Sequence, residues 1–160
     1  MNLRDWLLWS FVATLALTSV MAGSQGLRLT RMNLPFILGA MFTPNRERAK
    51  AIGFLVHLLN GWIFSLAYLA AFHSWGRATW WAGAAIGLVQ AIFVLTVAVE
   101  FLPSIHPRMA SENKGPTVTR QLEPPGFLAL NYGRRTPLSI LLAHLVYGGI
   151  LGAFYRPRGA

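Results

Sequence analysis

Cysteine is absent, and with it disulfides, thiolate metal sites and thiol nucleophiles. Acidic side chains are scarce: five Asp and Glu face fourteen Lys and Arg. Charged residues of both signs make up 12% of the chain, about half of what a soluble domain uses to cover its surface. That scarcity excludes a water-soluble globule. No GxSxG, Walker, HExxH or paired-carboxylate pattern occurs, so hydrolytic and phosphoryl-transfer chemistry have no residues to carry them, and we expect a protein that is not an enzyme.

What is present in quantity is apolar length. Uncharged stretches cover 6–27 (22 residues), 51–76 (26), 78–99 (22) and 136–155 (20). Each can cross about 30 Å of hydrocarbon at about 1.5 Å per residue. We therefore expect an all-α, polytopic membrane protein: one domain, 1–160, with transmembrane helices at about 6–24, 51–72, 79–101 and 137–155. A net charge of +9 invites a nucleic-acid reading, but the basic residues flank apolar runs instead of forming a stripe among exposed aromatics. Anionic lipid headgroups are the expected partner, and nucleic acid is not.

Lys and Arg are costly to translocate, so their imbalance sets orientation. Arg28, Arg31, Arg46, Arg48 and Lys50 lie in or beside the first loop, and Arg108, Lys114, Arg120, Arg134 and Arg135 in the third. Arg4, Arg77, Arg156 and Arg158 lie on the other side, with Trp6, Trp9, Trp75, Trp80 and Trp81 at the helix ends there. Loops 25–50 and 103–136 should then be cytoplasmic, with both termini opposite. The first apolar run, followed by Val20-Met21-Ala22, has the outline of a signal peptide. We expect it to be retained, because its loss would leave one half of the repeat described next without a partner helix.

Set without gaps, 53–68 and 140–155 are identical at six of sixteen positions, including His57/His144, Gly61/Gly148 and Tyr68/Tyr155. Two similar hairpins, 1–72 and 73–160, related by a pseudo-two-fold axis along the membrane normal, would account for this. At about 100° per residue, His57, Gly61, Phe64, Ser65 and Tyr68 share one helix face, and His144, Gly148, Leu151, Gly152 and Tyr155 share its counterpart. Gly61-xxx-Ser65, Gly83-xxx-Gly87 and Gly148-xxx-Gly152 let backbones approach closely in lipid, so we expect intramolecular packing, with a homodimer interface as the alternative.

Between the helices, segment 34–42 is apolar but too short to span, and should lie at the interface. The 103–136 arm, with six of the nine prolines in or beside it, should be irregular, as an ordered arm or a tether. Its Phe127, Leu128, Leu130 and Tyr132, followed by Arg134 and Arg135, favour docking on a partner.

Ionisable residues at membrane depth are functional candidates. His57 and His144 sit about 10–14 Å into their helices from the same side. Facing each other, two neutral imidazoles could ligate a haem iron or, singly, a chlorin magnesium. Alternatively, each donates to a carbonyl or to Asn60, Gln90 or Tyr147 and locks neighbouring helices. Glu100 and His106 could complete a mixed metal cluster with them, but an interfacial Glu100 paired with Arg135 or Lys50 is the simpler reading, and no metal site is expected. The outer half of the bilayer offers no chain of carboxylates or histidines for proton pumping.

At Ala143-His-Leu-Val-Tyr-Gly-Gly-Ile-Leu-Gly-Ala-Phe-Tyr155, with Leu34-Pro-Phe-Ile-Leu-Gly-Ala-Met-Phe42 and Gly53-Phe-Leu-Val-His57 upstream, the chain resembles a group of uncharacterised bacterial four-helix membrane proteins classed as domains of unknown function. The resemblance implies the four-helix fold and a bacterial inner membrane, and no activity. The expected role is a non-catalytic accessory or scaffolding subunit of a larger membrane complex. The alternatives are a haem or chlorin binder using His57 and His144, and a carrier of small lipophilic molecules through a groove lined by Gly61, Ser65, Gly148 and Gly152.

Overall fold

The computed structural model describes residues 2–111 and 113–157; Arg158, counted above on the far side, lies outside them. Helices begin where the sequence supplies a cap. Asn2 opens α1 (Leu3–Gly26) by accepting from the Asp5 N–H, and Asn33 opens the short α2 (Leu34–Ala40) by accepting from Phe36. Asn45 opens α3 (Arg46–Ser74), and Thr79 opens α4 (Trp80–Ile105). Pro137, in the first turn of α5 (Thr136–Phe154), occupies a position where no intrahelical donor is needed. The Asn45 cap starts α3 at Arg46 instead of 51, so its charged first turn stands clear of the apolar span.

The fold is all-helical, and α1, α3, α4 and α5 are long and apolar enough to cross a membrane, making this a multi-pass membrane protein. One irregularity interrupts α4: a π turn over Val94–Ala98.

The centre of the bundle is α5, packed against α4 on one side and α1 on the other, while α1 also packs on α3. The α4–α5 seam is backbone against backbone. A Cβ on Gly83 would strike the Gly148 carbonyl, one on Gly87 the His144 carbonyl, and one on Gly152 the Thr79 carbonyl. Gly61 instead faces the Thr14 side chain of α1. Ser65 accepts from both Trp6 Nε1 and Ser10 Oγ at 2.8 Å and donates to the Trp62 carbonyl. By contrast α3 and α4 do not pack along their lengths. They meet where Tyr68 donates to Gln90 Oε1 at 2.6 Å and where the Phe64 and Phe93 rings lie 6.4 Å apart.

Gly61 faces the Thr14 side chain of α1 and Gly148 the Gly83 carbonyl of α4, but the paired tyrosines do not match, since Tyr68 reaches Gln90 whereas the Tyr155 hydroxyl meets His73 Nε2 at 2.9 Å, so the expected two-hairpin repeat is not confirmed. At the arm end, α2 lies on the start of α3, with Gly39 against the Ala49 backbone and Gly53 against the Pro35 carbonyl. The arm folds back over α2 instead of hanging free. Met109 is fully buried, His106 Nε2 bonds the Ile37 carbonyl at 2.9 Å, and Arg108 donates to the Ala40 carbonyl. A Thr30–Thr136 hydroxyl pair at 2.7 Å ties the first loop to α5.

Two neighbouring glycines give a direct test. Gly148→Leu should lower stability in detergent by about 3 kcal/mol or more, because α4 has nowhere to move. Gly149→Ala meets only the Trp80 carbonyl at 4.0 Å and should be neutral or slightly stabilising. Thermal unfolding of the two variants side by side reads the difference.

Candidate functional site

A chamber of about 170 Å³ has residues of both α3 and α4 in its lining. Thr14, Leu17 and Met21 of α1 back it, and Met32 with Leu34 and Leu38 of α2 form its floor. One wall is His57, Asn60, Gly61 and Phe64 of α3, and the opposite wall is Gln90, Val94, Ala98, Val99 and Leu102 of α4. Ile140, His144 and Tyr147 come from α5. The lining is mostly apolar. The π turn lies in the α4 wall, where the wider turn alters which side chains face inward; π turns recur at functional positions.

His57 and His144, on different helices, line this one chamber. His144 is buried, and its Nδ1–H donates to the Ile140 carbonyl one turn back at 2.8 Å, which leaves Nε2 as a lone-pair acceptor. Gln90 has its carbonyl oxygen occupied by Tyr68, leaving the NH2 as donor. Tyr147 spans the bundle to donate to the Gly61 carbonyl. The His57 ring and the Asn60 amide have no hydrogen-bond partner among the described residues, so neither histidine is locked by Asn60, Gln90 or Tyr147. In hydrocarbon such a group carries a cost of about 1–3 kcal/mol unless something in the chamber pairs it.

A cavity of about 150 Å³ holds one benzene-sized ring, and this chamber, at about 170 Å³, is of that size. No group of three or more His, Cys, Asp or Glu capable of holding a metal exists among the described residues. Glu100 is exposed, and the pairing expected for it is not made: Lys50 pairs with Glu47 at 2.8 Å.

The small residues do not form an open groove. Gly61, Ser65, Gly83, Gly87, Gly148 and Gly152 are all buried in helix seams, with Tyr68 and Tyr155 buried beside them, so a carrier path through Gly61, Ser65, Gly148 and Gly152 is closed. On the arm, Tyr132 was expected to face a partner but is buried against the protein itself, donating to the Glu123 carbonyl at 2.6 Å. Burial, with the Glu123 carboxylate adding and Arg31 opposing, pushes its phenol up to about 12. Leu128 is half-buried, while Phe127 is 66% exposed and Arg134 and Arg135 are exposed. The α3–α4 opening and the π turn were not foreseen. Their one sequence trace is the β-branched run of Val94, Thr96, Val97 and Val99 ahead of Pro103.

No family model, curated protein or solved structure matches the chain.

The chamber floor depends on His106. Its Nδ1 accepts from the Arg108 N–H at 3.1 Å while Nε2–H donates to Ile37, so the docked ring is neutral. Burial, partly opposed by the Ile37 bond and assisted by the Arg108 charge, holds its pKa below the ordinary 6.5. The undocked arm therefore binds the proton more readily. Docking is complete above about 6.5 and is lost as the pH falls through the lower folded value. Hydrogen exchange, corrected for its intrinsic pH dependence, should show 35–40 and 106–110 losing protection on acidification, and His106→Asn should remove that dependence. Equal protection at neutral and acidic pH would count against the clip.

Proposed function

We propose that the protein is a non-catalytic, membrane-embedded binding protein for small lipophilic molecules, which reach the chamber sideways from the bilayer between α3 and α4. The observation that carries this reading is that His57, Asn60, Gln90 and His144, each with hydrogen-bonding capacity left unpaired by the protein, line one mostly apolar chamber among the spanning helices. The setting is a bacterial inner membrane, with loops 25–50 and 103–136 in the cytoplasm against anionic headgroups and both termini opposite. Phe64 and Phe93, on the lipid side, form the sill of the opening.

Protein purified from native membranes should yield, on organic extraction and mass spectrometry, a small lipophile at near-equal molar amount. Ala98→Phe, which fills the chamber from the π turn, should lose it while unfolding at a similar temperature. Extracts that do not differ between the two proteins would defeat the proposal.

A second reading, an accessory or scaffolding subunit of a larger membrane complex, is favoured by Phe127. Leu128 (φ 52°) and Ala129 (φ 59°) are consecutive left-handed residues without being glycine, an arrangement costing about 1 kcal/mol or more each. The turn is held by the buried Ala129, whose N–H bonds the Gly126 carbonyl at 2.9 Å, and it leaves Phe127 exposed on the arm that also carries Arg134 and Arg135. On this reading Phe127→Ser releases a co-purifying membrane subunit without lowering stability, as size-exclusion chromatography of native-membrane extracts would show. An unchanged elution profile counts against it.

A further inference from the structure

The chamber's free hydrogen-bonding groups specify more than lipophilicity. Resting on the proposal that it takes a molecule from the bilayer, we infer that this ligand carries a ring hydroxyl, as in a phenol or hydroquinone head with an aliphatic tail, and that His144 Nε2 accepts the hydrogen bond from it.

Each half of the match follows from a bond already made. His144 is 8% exposed and spends its one N–H on the Ile140 carbonyl at 2.8 Å, so the neutral ring presents only an acceptor. That acceptor has no protein partner among the described residues. Gln90 spends its oxygen on Tyr68, so the amide presents only donors. On a lipophilic ligand, a hydroxyl is the smallest group that donates to the first and accepts from the second. The His57 ring and the Asn60 amide, each able to donate and accept, can serve a second oxygen on the same ring.

Other chemistries leave a mismatch. A ring ketone or quinone suits the Gln90 NH2 but sets a carbonyl lone pair against the lone pair of Nε2. A carboxylate brings a charge into a lining with no cation. A pure hydrocarbon leaves both groups unpaired. Volume limits the head to one ring, since about 170 Å³ compares with the about 150 Å³ that holds benzene. The tail has a way out past Phe64 and Phe93, which are 38% and 44% exposed on the lipid side.

The test uses the full chain in phosphatidylethanolamine–phosphatidylglycerol nanodiscs, with empty nanodiscs as the partition blank. Three butyl-substituted six-membered rings of similar size are compared: 4-butylphenol and 1-butyl-4-fluorobenzene, which differ only at the hydroxyl, and 2-butyl-1,4-benzoquinone, which carries carbonyls and no hydroxyl. The phenol should bind about tenfold more tightly than the fluoro compound, with the quinone no tighter than the fluoro compound. His144→Leu should erase the phenol's advantage, and Gln90→Leu should reduce it. If His144→Leu does not fold, the ranking of the probes on the unsubstituted protein still decides. Equal affinity for all three overturns the hydroxyl inference and leaves the binding chamber standing. Tightest binding by the quinone overturns it in favour of a carbonyl ligand. No saturable binding above the blank overturns both.

Discussion

Contact between backbones, at the glycine seam joining α4 to α5, is the constraint from which the rest of the arrangement follows. In lipid, burial of apolar surface gives helices little reason to associate, so dispersion over closely apposed backbones must supply much of the cohesion. Gly83, Gly87, Gly148 and Gly152 bring it about. With α5 seated on α4, α1 seated on α5, and α3 seated on α1, contact runs round the bundle in an arc that does not close. The open place is between α3 and α4. It is crossed by Tyr68–Gln90 and Phe64–Phe93, and the chamber lies behind it. The cavity is thus a consequence of where the small residues are and where they are not.

A second constraint, the cost of an unpaired polar atom in hydrocarbon, separates structural from functional groups. Thr14 and Thr18 bond carbonyls one turn back on α1, and Thr96 does so on α4. Ser10 and Trp6 converge on Ser65, and Tyr147 secures the Gly61 carbonyl. No side-chain nitrogen or oxygen among the described residues is both fully enclosed and unpaired. Against this thrift, the free groups of His57, Asn60, Gln90 and His144 share one location. All four residues line the chamber, and none of their free atoms is fully enclosed.

The amino-acid sequence made the spans legible because length and missing charge are global properties that no local contact reverses. It also made the histidines legible as a pair, since similar spacing from flanking cations, seven residues from Lys50 and nine from Arg135, implies similar depth, and both line one chamber. The role of the glycines was legible as close packing, though not which helix each would meet. Three features escaped for physical reasons. The π turn shifts the register of α4 by an amount that no 100° projection anticipates. The gap between α3 and α4 is a property of contacts not made, and residue types record only contacts that can be made. The arm docks onto α2 through His106 and Arg108 while Tyr132 folds back on Glu123 of the arm itself, long-range and irregular matches, so its aromatic residues read equally well as a surface for a partner.

That docking gives the two irregular segments one purpose. Leu34 and Leu38 floor the chamber from a helix of seven residues, too short to hold its own place. Packing on Ala49 and Gly53 fixes α2 on α3, while its far end is fixed by His106 and Arg108 reaching the Ile37 and Ala40 carbonyls. Those carbonyls fall in the last turn of α2, where the helix offers no donors for them, so the arm satisfies acceptors that would otherwise need water. Water there would lie directly beneath the apolar lining. By supplying donors from its own chain, the protein satisfies these acceptors without water and fixes the two leucines that line the chamber.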